Sequence, residues 1–570
     1  MLAKWRLMPQ SPDLAGKLSR QLEIHRAVAQ ALVNRGLFDA ASAERFCNPE
    51  LSDLIHPFSL SGVEPAAECL ARAIAQNRKI GVYADYDADG ITAAALLINF
   101  LTDLGQEPAW YLPDRLSQGY GLHREGIEFL ASQGVSFLVT ADCGTTDLEQ
   151  IKHARRLGLE VLVTDHHQLG PMPPESQAFV NPQGPEVPEH FKNLAGVGVV
   201  FFVLAGCRIK LREIGFFNGR PEPNLKHYLD LVALGTLADV VSVTGQNRII
   251  LKAGLDLLSL GERPSLAALA RAARLKAPFS SRDVLFGLVP RLNAAGRLGQ
   301  ADLGLKLLTT QDQGQADWLA RELNSLNSRR QRLEQKVMAE ALKTLLAQGD
   351  PTAKRSLVVA GRGWHQGVLG IVASRLVRRF HRPCFVCSIE GQLATGSGRS
   401  IEAFHLHQGL KSLAPLLIRF GGHSQAAGMR LEAKLIDRFA QALEGEVGRS
   451  LNEADLIPQL RIDSSLNLDD LDSKLVNDLE RLSPFGQGNP EPLFLADRIG
   501  LLKAWTAGDR GDHLGLILRQ GQQTWSAIGF GLGHLAESLP ASVKIAYRPV
   551  RDLFRGKERI KLHIADIQPA

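Results

Sequence analysis

The stretch Lys79-Ile80-Gly81-Val82-Tyr83-Ala84-Asp85-Tyr86-Asp87-Ala88-Asp89-Gly90 is a short apolar run that gives way to three aspartates spaced two apart. Two further runs end alike: residues 136–141 lead into Asp142, and residues 161–164 lead into Asp165-His166-His167. Apolar runs this short, alternating with helix-like segments, read as buried parallel strands. An open α/β sheet binds its ligands outside the carboxyl ends of its strands. At least five carboxylates and two imidazoles are therefore expected at one end of one sheet, and that arrangement is first of all a metal site.

The alternation extends in both directions. A helix pattern follows Asp89 over residues 91–98, then a strand at 108–112, a helix near 124–133 and a helix near 148–157. A later helix at 228–237 delivers Asp239 at its end. Residues 316–348 hold few turn signals and much charge, which predicts a long helix connecting domains. Its run Arg329-Arg330-Gln331-Arg332 reads as a solvated face rather than a phosphate contact. A second βα unit begins at 357–360 and continues through 367–380. It is glycine-rich and basic, with Gly396-Ser397-Gly398-Arg399-Ser400 and Gly421-Gly422-His423. Alternating stretches at 499–505, 514–519, 524–528, 543–548 and 559–567 predict five antiparallel strands, an OB-like barrel suited to DNA. The expected architecture is α/β with five parts: a helical segment at 1–52, a parallel-sheet catalytic domain at 53–310, a connecting helix at 311–350, a second α/β domain at 351–450 and the barrel at 451–570.

A chain of 570 residues is too long for one core, and 45% hydrophobic with 22% charged residues describes an ordinary globular protein. A net charge of +5 allows a local basic groove but not a globally basic nucleic-acid binder. The six cysteines are scattered. Cys384 and Cys387 form a C-x-x-C, but on a strand residues three apart point to opposite faces, so they read as core residues. A reducing, cytoplasmic setting is expected. Residues 1–10 lack the apolar run of a secretory leader, and 197–207 is too short to span a bilayer, so no membrane association is expected.

Two like charges about 4 Å apart repel by about 4 kcal/mol at an effective dielectric near 20. Several such pairs would force protons onto the carboxylates unless divalent cations neutralised them. Asp87 and Asp89 can reach adjacent ions, Asp142 can bridge from a neighbouring strand, His166 adds one nitrogen and Asp239 arrives from a helix. Carboxylate oxygens with one imidazole suit Mn²⁺ or Mg²⁺ better than zinc or copper. Two such ions clamp the attacking and leaving oxygens of a phosphoryl displacement. The expected reaction is hydrolysis of a phosphodiester or phosphoanhydride.

In order along the chain, the segments DYDADG (85–90), TADCG (140–144), DHH (165–167) and LGTLADVV (234–241) resemble the DHH phosphoesterase superfamily. PRLNAAGR (290–297), WHQGVLGIVASR (364–375), SGR (397–399) and GGHSQAAG (421–428) make the chain similar to the superfamily's bacterial single-strand-specific exonucleases. The resemblance runs from about residue 78 to 492 and on through the C-terminal barrel. It implies a DHH catalytic domain, a DHHA1-like second domain and 5′→3′ hydrolysis of single-stranded DNA to mononucleotides in repair and recombination, mismatch repair included. It further implies two Mn²⁺ or Mg²⁺ ions, and as partners the single-strand-binding protein and repair or recombination helicases. The implied metal ligands are Asp87, Asp89, Asp142, His166 and Asp239, with Asp165 a ligand or the partner of one, and His167 would contact the scissile phosphate. The implied clamp on the 5′-phosphate maps to Arg115, to Arg291 or Arg297, and to Ser397 and Arg399, with Arg375, Gly421, Gly422 and His423 also expected at the substrate.

Arginine forks bind phosphate bidentately, and a glycine-rich segment offers unobstructed backbone N–H groups. His423, after two glycines, is either close to a phosphate or a buried turn residue. Tyr120, Trp364, Phe404 and Trp525 are candidates for stacking on bases, or are plain core. Two rival functions remain: a DHH phosphodiesterase acting on short oligonucleotides or cyclic dinucleotides, and a non-catalytic scaffold that binds single strands.

Overall fold

The computed structural model describes residues 3–554 and 557–570, and the chain divides into two units. Residues Leu51–Leu456 form one; Met1–Glu50 together with Ile457–Ala570 form the other. Among the described residues no helix is long and apolar enough to cross a membrane.

The unit spanning Leu51–Leu456 is built on the expected parallel sheet. Its strands stand in the order Ala109–Tyr111, Ile80–Ala84, Phe137–Ala141, Glu160–Thr164, Ala178–Val180. The central strands are buried on both faces, which is why they read as unbroken apolar runs. Val82, Val139 and Leu162 pack under the helices Ala88–Asp103 and Gly196–Glu213. Tyr83, Leu138 and Val163 pack under Arg124–Ser132 and Leu148–Arg156. In the register, Ala84 pairs with Ala141, Ala141 with Thr164, and Thr164 with Val180. The next residue on each strand is Asp85, Asp142, Asp165 or Asn181, so four polar side chains leave the sheet in one row with strands about 4.8 Å apart. The strand order reverses beside Ile80–Ala84, placing the row at the switch point where such sheets open a crevice.

The connecting helix, Gln313–Ala347, is 35 residues long. Beyond it a mixed five-stranded sheet runs Arg419–Gly422, Ala426–Glu432, Leu393–Arg399, Cys384–Glu390, Leu357–Arg362. Only the last two strands pair in parallel. Cys384 and Cys387 are both buried, and they join different apolar clusters on opposite faces of their strand.

In the other unit, strands Phe494–Ala507, His513–Gln520, Gln523–Gly529, Lys557–Pro569 and Ser542–Phe554 pair in that order. The last returns to the first and closes a five-stranded barrel. Gln523–Gly529 and Lys557–Pro569 run parallel, so the barrel is not wholly antiparallel as expected. The N-terminal segment is not purely helical either: Lys4–Leu7 is a strand paired in parallel with Gln459–Ile462. Leu18, Val28 and Leu32 from that segment share one apolar cluster with Phe494, Leu516 and Tyr547 of the barrel.

Leu32 has no exposed surface, so Leu32→Ala should cost about 2–5 kcal/mol. Hydrogen exchange should show protection falling in both residues 26–34 and the barrel strands, with the parallel sheet of Leu51–Leu456 unchanged.

Candidate metal centre and phosphate site

Each carboxylate at the strand tips is fixed by its local backbone. Asp87 caps the Ala88–Asp103 helix, its Oδ1 accepting from the amides of Asp89 (2.9 Å) and Gly90 (3.1 Å). Asp89, the second residue of that helix and buried, accepts from the amides of Gly196 (2.7 Å) and Val197 (3.0 Å) at the start of Gly196–Glu213. The positive end of a second helix therefore holds this carboxylate. A Cβ on Gly196 would come within 2.6 Å of the Asp142 side chain, so only glycine lets that helix end approach. Asp142 has a φ of 63°, in the left-handed region. Asp239 is the C-cap of Leu229–Ala238.

His166 Nε2 faces three carboxylates: Asp142 Oδ1 at 3.1 Å, Asp239 Oδ2 at 3.5 Å and Asp89 Oδ2 at 3.9 Å. Three sets of potential ligand atoms lie within 4.8 Å of one another: Asp142, His166 and His167; Asp89, His166 and Asp239; and Asp85, Asp87 and Asp142. Asp142 and His166 each belong to two sets. Asp165 belongs to none. Its Oδ2 accepts from the Thr145 amide at 3.0 Å, and its Oδ1 from His166 N, His167 N and His167 Nδ1 at 2.7, 3.2 and 2.8 Å. Burial opposes its charge, but the hydrogen bond and charge of His167 prevail and hold it well below the usual carboxylate range.

The remaining acids are pushed the other way. Burial raises Asp85, Asp89 and Asp142, with neighbouring aspartates adding to it. Burial also raises Asp239 to about 7 against the pull of His166. Burial opposes the charge of His167, yet Asp165 and Asp142 lift it to about 9. Asp85 Oδ1, Asp142 Oδ1 and His166 Nε2 are buried without a hydrogen-bond partner among the described residues. Orphaned acceptors on mutually repelling carboxylates are what divalent cations satisfy, and this oxygen-rich set with one nitrogen fits Mn²⁺ or Mg²⁺.

Beside the acids lies a group of arginines. Arg297 is lowered to about 9, first by burial and then by Arg115, Arg399 and Arg330. Arg399 is lowered to about 10 by burial and then by Arg115. The partners of these two are neutral: Arg297 Nη1 donates to Gly367 O (3.3 Å), and Arg399 Nη1 to Ser397 Oγ (3.3 Å) and Gly398 O (2.8 Å). Arg115 lies over the Tyr86 ring, 5.2 Å from its centroid. A Cβ on Gly370 would stand 2.8 Å from Arg399 Nη2 and 2.9 Å from Ser397 Oγ, so this helix residue leaves the pocket open. Cations packed together against neutral groups form an anion site.

Not every expected residue joins these groups. Arg291 is directed away, donating to Asn324 Oδ1 and Gly287 O, so Arg297 rather than Arg291 stands with Arg115 and Arg399. Arg375 pairs with the buried Glu334, which also pairs with Arg330. Arg330 is thus buried, not part of a solvated face. Gly421 and Gly422 lie on the edge strand, and the turn after them leaves His423 exposed, within electrostatic range of Arg399 and His167. Trp364 and Phe404 are core, and Trp525 packs against the barrel's apolar cluster. Asp85 was counted among the strand-end acids but given no role as a ligand, although its position level with Asp142 signalled one. Tyr120, Thr145 and Asn181 were missed as supports: Asn181 Nδ2 donates to His167 O (2.9 Å) and Thr145 Oγ1 (2.8 Å), and the Tyr120 hydroxyl lies 2.9 Å from His167 Nδ1. Only the folded strand ends bring these together.

Three family models match the chain: the DHH family N-terminal domain over residues 79–236, the DHHA1 domain over 354–449 and the RecJ OB domain over 462–566. The single-stranded-DNA-specific exonuclease RecJ of Dickeya dadantii is 38% identical over 574 residues, covering 98% of this chain and 97% of that protein. The Bacillus subtilis protein of the same name is 35% identical over 95% of this chain and 68% of its own length. The crystal structure of RecJ with Mn²⁺ from Thermus thermophilus superposes with a TM-score of 0.85 at 31% identity, covering all of this chain and 80% of that one. The chain belongs to the RecJ family.

A cation must displace the proton that Asp239 holds below about pH 7. Calorimetric titration with Mn²⁺ should therefore show affinity weakening as pH falls through 7, with proton release on binding.

Proposed function

We propose that this RecJ family member is a metal-dependent exonuclease that hydrolyses single-stranded DNA from its 5′ end and releases mononucleotides. The observation that carries the reading is the sharing of Asp142 and His166 between adjacent sets of potential ligands, beside Arg297 and Arg399, whose hydrogen bonds go to carbonyls and a hydroxyl. Asp85, Asp87, Asp89, Asp142, His166 and Asp239 would hold two Mn²⁺ or Mg²⁺ ions. When bound, such ions polarise the phosphodiester and acidify a water.

The chain's own residues do the rest. Asp165 grips His167 Nδ1, which orients the ring so that Nε2 can meet a phosphate oxygen. The hydrogen bond and charge of Asp165 favour a proton on His167, which suits it to donate to that phosphate. Arg115, Arg297, Ser397 and Arg399 receive the terminal phosphate and so fix which bond lies at the acids. His423, after the edge strand, is placed to reach that phosphate, and Arg375, paired with Glu334, braces the Gln366–Phe380 helix that borders the arginine group. The full set of acids weighs against a non-catalytic scaffold, and the barrel weighs against substrates as small as dinucleotides. The setting this implies is cytoplasmic repair and recombination, alongside the single-strand-binding protein and helicases.

The test is nucleotide release in Mn²⁺ from a long 5′-phosphorylated single strand, its duplex and a dinucleotide. Mononucleotides from the single strand support the reading; hydrolysis of the dinucleotide alone overturns it. Asp142→Ala should lower kcat by roughly 10³-fold or more while DNA still binds. Arg297→Ala should raise KM for the phosphorylated strand about tenfold, the loss of a charged hydrogen bond, and Arg291→Ala should raise it much less.

A further inference from the structure

The loop between Ala109–Tyr111 and Arg124–Ser132 carries Arg115 near one end and Tyr120 near the other. The Tyr120 hydroxyl is 2.9 Å from His167 Nδ1 and 3.4 Å from the Asp142 carbonyl oxygen, and the two rings are 4.9 Å apart. Asp165 Oδ1, an acceptor, is 2.8 Å from the same nitrogen. Nδ1 therefore carries its one proton, shared in a bifurcated bond between Asp165 Oδ1 and the Tyr120 oxygen, and Tyr120 points its own proton at the Asp142 carbonyl. That carbonyl belongs to the one aspartate with a positive φ among the described residues, a conformation that persists only where its surroundings enforce it. One hydroxyl thus touches both the imidazole aimed at the phosphate and the backbone of the shared acid.

Arg115, earlier on the same loop, is the strongest charged influence on both Arg297 and Arg399. Just before Arg115, Asp114 Oδ1 closes a turn around it by accepting from the amides of Leu116 (3.0 Å) and Ser117 (2.8 Å). Gly119 and Gly121 then redirect the chain at φ 86° and 96°, which glycine alone adopts readily.

We propose that this loop couples the end of the strand to the reaction. A terminal phosphate seated on Arg115 holds the loop where the Tyr120 hydroxyl meets His167, so the phosphate raises kcat as well as lowering KM. Tyr120 is a positioning residue acting through His167, and the inference rests on the arginine clamp described above. Tyr120→Phe keeps the ring, and with it any stacking on a base, and removes only the hydroxyl.

The experiment measures kcat and KM in Mn²⁺ for one oligodeoxynucleotide carrying either a 5′-phosphate or a 5′-hydroxyl. Without the phosphate, the unaltered protein should lose about tenfold in kcat and gain in KM. Tyr120→Phe should lose about tenfold in kcat on the phosphorylated strand, with no further kcat loss on the hydroxyl strand, while KM still rises. Losses that multiply overturn the coupling, as does an undiminished kcat in Tyr120→Phe. Indifference of the unaltered protein to the phosphate, in both parameters, overturns the clamp itself. Melting temperature and Mn²⁺ affinity of the variant should match the unaltered protein; a fall in either assigns Tyr120 to folding or to the metal ligands and overturns its action through His167.

Discussion

The register of one parallel sheet governs the chemistry of this molecule. Because Ala84, Ala141, Thr164 and Val180 are level, the residues that follow them must emerge side by side. Three of the four are aspartates, so negative charge is concentrated by backbone hydrogen bonding, before any side chain chooses a rotamer. Slipping one strand by a residue would turn its aspartate to the other face and disperse the cluster. Stability of the sheet and readiness for cations are thus one constraint, and the buried faces of the strands enforce it.

The three aspartates of that row nevertheless have different tasks, set by what each one accepts. Asp165 spends both oxygens on protons from its own loop and from Thr145, so it is an anion that orients an imidazole. Asp85 and Asp142 keep buried oxygens without such partners. The same contrast separates the arginines. Arg330 and Arg375 meet on one carboxylate, Glu334, whereas Arg297 and Arg399 meet carbonyls and a hydroxyl. An arginine already neutralised ties elements together, and one left with neutral partners still attracts an anion.

Much of this was legible in the sequence, because short apolar runs with polar tips have few folded interpretations. The strands ending at Ala84, Ala141 and Thr164, the helix that delivers Asp239 and the long connecting helix all stand within a few residues of expectation. What could not be read depends on partners distant in sequence. Lys4–Leu7 is too short to declare itself a strand without Gln459–Ile462 beside it. The choice of Arg297 over Arg291 depends on which end of their helix, Val289–Arg297, meets Gly367 at the start of Gln366–Phe380. The burial of Arg330 did leave a trace: with Glu334 it falls on the same helical stripe as Leu323, Leu326, Val337 and Ala341. A charged residue in an apolar stripe looks like a solvated neighbour until its partner is noticed.

The shared core of residues 1–50 and 457–570 has a consequence for biosynthesis. The helices Pro12–Leu22 and Arg26–Asn34 leave the ribosome more than four hundred residues ahead of the barrel strands that cover Leu18 and Leu32. At about 5–20 residues per second the apolar side of those helices waits tens of seconds for its cover, while the intervening unit can already fold. A nascent chain of this kind gives chaperones an early and lasting place to hold, and truncating its tail would strip protection from its head.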